Sequence, residues 1–339
     1  MRISEFGGEL AIIEFIARKY GGKPTDALVT GIGDDAALIQ IANDKLLIVT
    51  TDLLIENTHF RRDIIDPYSL GWKSVAANIS DIAAMGGKPT YTFVSIALDD
   101  VDVSFVEELY KGMYDCATAY GSVIAGGDTN VSKDRRAINI TQLGEVAVGK
   151  QVLRSGAKPG DCILVTGTPG DSAAGLEMLF SYGKDKAKNL YSSLVEAHLK
   201  PKPRVAEAAA AAATGKLHSM MDISDGLAAD LPKLCLASGI GAIVTVESLP
   251  ISPALIEAAD ELGLDARRLA LNGGEEYELL MTVAEADVDI VRKAIVDATG
   301  TPVTAIGRIT ADLEVLVEYA NQATTILKGG WTHFGKAQE

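Results

Sequence analysis

The sequence predicts an α/β (α+β) protein of two domains with mixed sheets, and three observations carry that expectation. The chain has 339 residues, about two ordinary domains. Hydrophobic residues make up 47% but aromatics only 6%, so the core has to be built from Ala, Val, Ile and Leu. Short apolar runs of strand length alternate with segments of helical spacing almost to the end.

Taken in order, Ile12 to Tyr20 reads as a short amphipathic helix and Leu46 to Thr50 as a buried strand running into a polar cluster. Pro67 to Met85 carries Leu70, Val75, Ala76, Ile79, Ile82 and Ala83 at helical spacing, with Gly86-Gly87 as its stop. Tyr91 to Ala97 is a strand, Ser104 to Tyr120 a helix ended by Gly121, and Val123 to Ala125 a short strand stopping at Gly126-Gly127-Asp128. Ile138 to Val148 alternates as a strand does. Gly, Arg, Ser, Lys and Pro gather between Gly149 and Pro159, which places a domain boundary there and divides the chain into 1–149 and 150–339. Beyond it the pattern predicts a strand (Cys162 to Thr166), a helix (Ala173 to Tyr182) and an Ala-rich helix opened by Pro201 and Pro203 and closed by Gly215. Strands near Ile243 to Val246 and Leu279 to Val283 follow, then a helix at Asp287 to Ala298.

Composition excludes several functions. Lys plus Arg is 31 and Asp plus Glu 46, a net charge of −15, and such a surface repels nucleic acid. Three cysteines, Cys116, Cys162 and Cys235, form no disulfide framework or CxxC site, which suits a cytoplasmic protein. The N-terminus has acids where a secretory signal has a basic region, and no apolar run reaches the roughly 18 residues of a membrane span.

Common nucleotide signatures fail. Gly144 to Lys150 has P-loop spacing but is followed by Gln151, and its EVAV core reads as strand. Gly31, Gly33 and Ala36 form a GxGxxA pattern with Asp52 about twenty residues on, as in a dinucleotide-binding unit. That rival reading places Asp34 and Asp35 against a pyrophosphate, which is repulsive without a metal. The recurring feature is instead aspartate beside Gly, Ser or Thr in expected turns: Asp34-Asp35, Asp52 after Thr50-Thr51, Asp81, Asp128, and Asp222 with Asp225. Hard divalent cations such as Mg²⁺ take a few carboxylates plus phosphate oxygens, so carboxylates gathered by folding suit a metal–nucleotide site. Each alone is an ordinary cap or turn residue. Tyr110 and Tyr114 fall at i, i+4 of a helix and read as core, and Asp99-Asp100-Val101-Asp102 as a solvated loop.

The segments GIGDDAAL, TTDLLIENTHF, KSVAANISDIAAMGG, AGGDT, RSGAKPGD, TGTPGDSAAGLE, MDISDGLAADL and NGGEEYEL occur in this order. Together they resemble the thiamine-monophosphate kinase family, within the superfamily of aminoimidazole ribonucleotide synthetase and selenophosphate synthetase. The resemblance implies a homodimer whose N-terminal domains share a central β-barrel, with ATP and several Mg²⁺ ions in a cleft between domains. It implies metal roles for Asp35, Thr50, Thr51, Asp52, Asp81, Asp128, Asp222 and Asp225. It implies ATP contacts from Gly127, Asp128, Arg154 and Ser224, with Tyr110 as a further candidate, and thiamine monophosphate contacts from His59, Glu275 and Trp331. Two positions depart from the family pattern. GGEDYEL is GGEEYEL here, with Glu276 one methylene longer. The Gly two residues before His59 is Asn57, which tolerates the left-handed conformation better than most residues.

The reaction implied is phosphorylation of thiamine monophosphate by ATP to thiamine diphosphate, the last step in making that product. The acceptor is a phosphate oxygen, already anionic, so no general base or covalent nucleophile is needed and direct in-line transfer is expected. Two alternatives stay open: another ATP-dependent synthetase of the superfamily acting on a purine precursor or selenide, and a Rossmann-type NAD oxidoreductase using Gly31 to Ala36. Selenide chemistry would call for a Cys or selenocysteine near the N-terminus, and the first cysteine is Cys116.

Overall fold

A computed structural model describes residues 3–20, 25–320 and 323–333. Two mixed sheets organise it. The first contains β1 (Leu28–Thr30), β2 (Ala37–Ala42), β3 (Lys45–Ile55), β4 (Lys88–Leu98), β5 (Val123–Val131) and β6 (Ala137–Ala147), in the order β1-β2-β3-β6-β4-β5. The second contains β7 (Cys162–Thr166), β8 (Leu217–Ile223), β9 (Gly241–Thr245), β10 (Glu278–Val283), β11 (Val303–Thr310), β12 (Val315–Glu318) and β13 (Thr324–Ile326), in the order β13-β12-β9-β11-β7-β10-β8. Parallel pairing is confined to β4 with β5 and β9 with β12, so both sheets are mostly antiparallel. No helix among the described residues is long and apolar enough to cross a membrane.

The helix Pro67–Ala84 is the hub. Pro67 opens it, and the Asp66 carboxylate accepts the Ser69 N–H as N-cap. Almost every side of it is buried, because it lies between the sheets. Val75, Ala76 and Ile79 join the core of the first sheet, while Ala83 packs with Leu164, Met220 and Leu279 of the second. Each fully buried aliphatic contributes about 1.5–3 kcal/mol. The hub crosses the helix Val103–Ala119 at two glycines. A Cβ on Gly71 would strike the Leu109 carbonyl, and one on Gly112 would strike that of Tyr68.

The alternating strands present one face to these helices and leave the other open. On β3, Leu46, Ile48, Thr50 and Leu54 are buried, while Thr51 and Leu53 face outward. Tyr91 and Phe93 of β4 are likewise exposed, and nearly all of β5 is open.

Several sequence expectations change. The strand expected at Leu46 to Thr50 continues through Thr51-Asp52 to Ile55, because β6 pairs with it along its whole length. The strand expected to stop at Ala125 runs on to Val131, since β4 pairs with Gly126-Gly127-Asp128 in parallel. Asp52, Asp81, Asp128 and Asp222 therefore sit in regular elements, not turns. Tyr110 packs against the core as expected, but Tyr114 is exposed. Asp99 is no free loop acid: Arg136 donates to it, and Arg62 lies 3.5 Å away. Gly31 to Ala36 leads into antiparallel β2 and opens no helix, so the dinucleotide reading loses its pyrophosphate cradle. The P-loop-like segment lies in and just beyond β6.

Candidate active site

The two sheets and the hub helix bring distant carboxylates together. Asp35 stands just before β2, Asp81 near the C-terminal end of the hub helix, and Asp222 near the end of β8. One oxygen of each lies within 4.8 Å of the others. Thr50 on β3 donates to Asp81 Oδ2 at 2.6 Å, and Ser80 donates to Asp222 Oδ2 at 2.6 Å. The Arg154 guanidinium bonds Asp35 Oδ1, with Nε at 3.0 Å, while its backbone N–H reaches Asp34. The other Asp35 oxygen, Oδ2, is buried with no hydrogen-bond partner. Such an orphan is rare in a finished interior.

These acids share an electrostatic strain. Burial, and then repulsion from Asp52, Asp222 and Asp35, pushes Asp81 well above the carboxylate range. Burial and the Asp35 charge push Asp222 up to about 8. Asp35 is also raised by burial, against the pull of Arg154. Asp52, whose N–H donates to Asn78 Oδ1 at 3.0 Å, is raised to about 6 by burial and by Asp225. Oxygen donors, mutual repulsion and an unpartnered buried oxygen are what a hard divalent cation would resolve, so the residues fit one.

The turn after β8 borders this cluster. Asp230 accepts the backbone N–H groups of Ser224 and Asp225 at 3.0 and 2.9 Å, fixing the turn. Lys233 bonds both Asp225 and Asp230. The Asp225 carbonyl accepts the Trp331 N–H at 2.8 Å, which brings the C-terminal segment over the cleft. There Trp331 meets His333 edge-on at 6.0 Å between ring centroids, and His333 lies 5.1 Å from His59. His59 Nδ1 accepts the Ile55 N–H at 2.9 Å, and its turn is set by Asn57 at φ 62°. The left-handed tolerance expected of Asn57 is thus used.

Glu275 completes the pocket from the loop before β10, at φ 59°. Its Oε2 accepts from Lys73 Nζ at 2.8 Å. Burial would raise Glu275, but the Lys73 charge outweighs it and holds the carboxyl below its ordinary value. Glu276, the longer residue in this loop, turns away and accepts the Ser172 and Ala173 N–H groups at 3.2 Å each. It therefore caps the helix Asp171–Tyr182 through side-chain reach.

Other sequence candidates sit apart from the cluster. Thr51 Oγ1 donates to the Ile140 carbonyl across the sheet. Asp128 is exposed on β5, beside Gly127, where a Cβ would collide with the Val94 carbonyl. Tyr110 is part of the helical core. Sequence reasoning missed Lys73, His198, Asp230, Lys233 and His333. Only Lys73 carried a signal, a lysine in a helix of apolar and small residues.

The comparisons agree over most of the chain. Residues 33–146 match the N-terminal domain and residues 158–319 the C-terminal domain of AIR synthase related proteins. Thiamine-monophosphate kinase of Salmonella typhimurium is 40% identical over 85% of this chain and 86% of its own length. That of Escherichia coli K12 is 39% identical over 90% and 91%. A solved structure of AaThiL complexed with AMPPCP and TMP superposes with a TM-score of 0.85 at 32% identity, covering 98% of this chain and 99% of that one. By fold, by sequence over most of its length, and by the order of its motifs, the chain belongs to the thiamine-monophosphate kinase family.

Proposed function

We infer that the acidic cleft carries the family's reaction in this chain, phosphoryl transfer from ATP to thiamine monophosphate giving ADP and thiamine diphosphate. The observation that supports it most is the trio Asp35, Asp81 and Asp222, the first and last buried and Asp81 half-buried, repelling one another, with Asp35 Oδ2 unpartnered. Asp35, Asp81 and Asp222 would hold Mg²⁺, with Thr50, Asp52 and Asp225 beside them, Thr51 further along β3 and Asp128 on the edge strand β5. Bound there, the ion would neutralise phosphate charge and align donor and acceptor oxygens. Arg154, Gly127, Asp128 and Ser224, with Tyr110 more distant, are the nucleotide side. Arg154 already stands on Asp35 and brings positive charge to the cluster. His59, Glu275 and Trp331 form the thiamine monophosphate side, an aromatic rim over a fixed carboxylate. The acceptor is an anionic phosphate oxygen that needs no base, so we read the transfer as direct.

The division at 149/150 assigns the nucleotide, metal and dimerisation surfaces mainly to the first unit. The open face of the first sheet, with Leu53, Tyr91 and Phe93 exposed, suits a second copy of this chain that closes the barrel. Sedimentation of Leu53→Lys/Phe93→Glu should then show monomers where the parent chain shows dimers. The three free cysteines and the ATP requirement suit the cytoplasm.

Chromatography of a mixture of protein, ATP, Mg²⁺ and thiamine monophosphate tests the reaction. Thiamine diphosphate and equimolar ADP, both abolished by chelator, are expected. A folded protein that binds Mg²⁺–ATP but forms no product would reject this substrate. Trapping a labelled phosphoprotein would reject direct transfer.

A further inference from the structure

Lys73 is 1% exposed, in the middle of the hub helix, and such a buried ammonium needs good partners to persist. It has two. Nζ lies 2.8 Å from Glu275 Oε2 and 3.2 Å from His198 Nε2. Burial and the Lys73 charge push His198 down to about 3, so its ring is neutral and accepts from Lys73 at Nε2. Nδ1–H is then free to donate to Ser172 Oγ at 3.2 Å, and the Ser172 hydroxyl donates to the Gly274 carbonyl at 3.4 Å. The chain of donors leaves Lys73 and returns to the residue beside Glu275. Lys73 thus holds the 274–275 backbone through His198 and the Glu275 carboxylate directly, bridging the first sheet's helix to a loop of the second.

The pair is buried at the Lys73 end only. Glu275 keeps 29% of its side chain exposed, toward a cleft where its charge is felt at His59. We propose that Lys73 is a positioning residue for thiamine monophosphate, fixing the place and the negative charge of the Glu275 carboxylate so that its free oxygen accepts from the exocyclic amine of the substrate's aminopyrimidine ring. The proposal rests on the functional reading above and assigns Lys73 no contact with ATP.

Steady-state kinetics on the full chain separate the outcomes. Lys73→Met should raise KM for thiamine monophosphate roughly tenfold or more, as loss of a charge-assisted hydrogen bond does, and leave KM for ATP within about twofold. Glu275→Gln should do the same. Combining the two should add nothing to Glu275→Gln, because Lys73 acts through that carboxylate. Lys73→Arg should recover part of the loss. An unchanged KM for thiamine monophosphate, an equal rise for both substrates, or full additivity in the double variant would overturn the proposal while leaving the reaction itself intact. If Lys73→Met gives no cooperative melt, Lys73→Gln carries the same comparison, keeping a donor and dropping the charge. Failure of the parent chain to form thiamine diphosphate would instead overturn the reading beneath it.

Discussion

The floor and the wall of the cleft treat buried charge in opposite ways. On the floor, Asp35, Asp81 and Asp222 crowd together with Asp52 behind them, and all are held above the ordinary carboxylate range by burial and mutual repulsion. On the wall, Glu275 is paired with Lys73, stays below that range, and leaves His198 neutral beside it. The wall is electrostatically complete as it stands. The floor is complete only with added positive charge, which is why we propose it as the meeting place of cation and phosphates, and propose the wall as the side that reads the other substrate.

The largest expected effect breaks the floor. Asp81→Asn keeps the acceptor for Thr50 and removes one of the repelling charges. Activity should fall by about 10²-fold or more, while the metal-free protein should melt higher than the parent chain. The sign follows from linkage. Carboxyls raised in the folded state stabilise fully below their unfolded value near 3.8, and that contribution is lost as pH rises through the folded value, about 8 for Asp222. The metal-free parent should therefore lose stability from pH 5 to 8, and Mg²⁺ should restore it. A parent chain whose melting temperature ignores both pH and Mg²⁺ would remove the contrast between floor and wall.

The wall predicts the reverse slope. His198 is depressed to about 3 from an unfolded 6.5, so the unfolded chain takes up a proton that the folded one refuses. The His198 contribution to stability should fall as pH drops below 6.5, by about 1.4 kcal/mol per unit, or about 2 kcal/mol between pH 6.5 and 5, opposing the gain from the floor. Denaturant titrations of His198→Asn across this range should show that dependence removed. An identical pH dependence in both proteins would mean that His198 does not carry it.

Much of this was legible in the sequence, and the rest was hidden for physical reasons. Aspartates beside small residues advertised the floor, since Asp35, Asp81 and Asp222 come from segments where Gly, Ser or Thr leaves room around a carboxylate. Their setting was misread. Strand pairing continues through Thr51-Asp52 and Gly126-Gly127-Asp128 because long partner strands impose it, while local residue preference points to a turn. The wall was nearly invisible. Lys73, Ser172, His198 and Glu275 span about 200 positions, and each looks ordinary until the hub helix meets the loop before β10. The aromatic rim showed the same limit, because His333 gains meaning only when the Trp331 N–H finds the Asp225 carbonyl.

The smallest expected effect sharpens the comparison at the Asn57 turn beside the aromatic rim. Asn57 holds φ 62°, its N–H donates to the Phe60 carbonyl at 2.8 Å, and the neighbouring Glu56 is locked by Arg62 and the Arg136 N–H. The turn is therefore imposed from both sides, and a residue that resists the left-handed region must absorb the strain without relaxing. Asn57→Ala should cost about 1 kcal/mol of stability, and Asn57→Gly should cost nothing or gain slightly. Because His59 hangs from this turn through its bond to the Ile55 N–H, Asn57→Ala should also raise KM for thiamine monophosphate modestly while sparing KM for ATP. If Asn57→Ala matches Asn57→Gly in melting temperature and in both KM values, the turn is not under tension and His59 is placed by the rim alone.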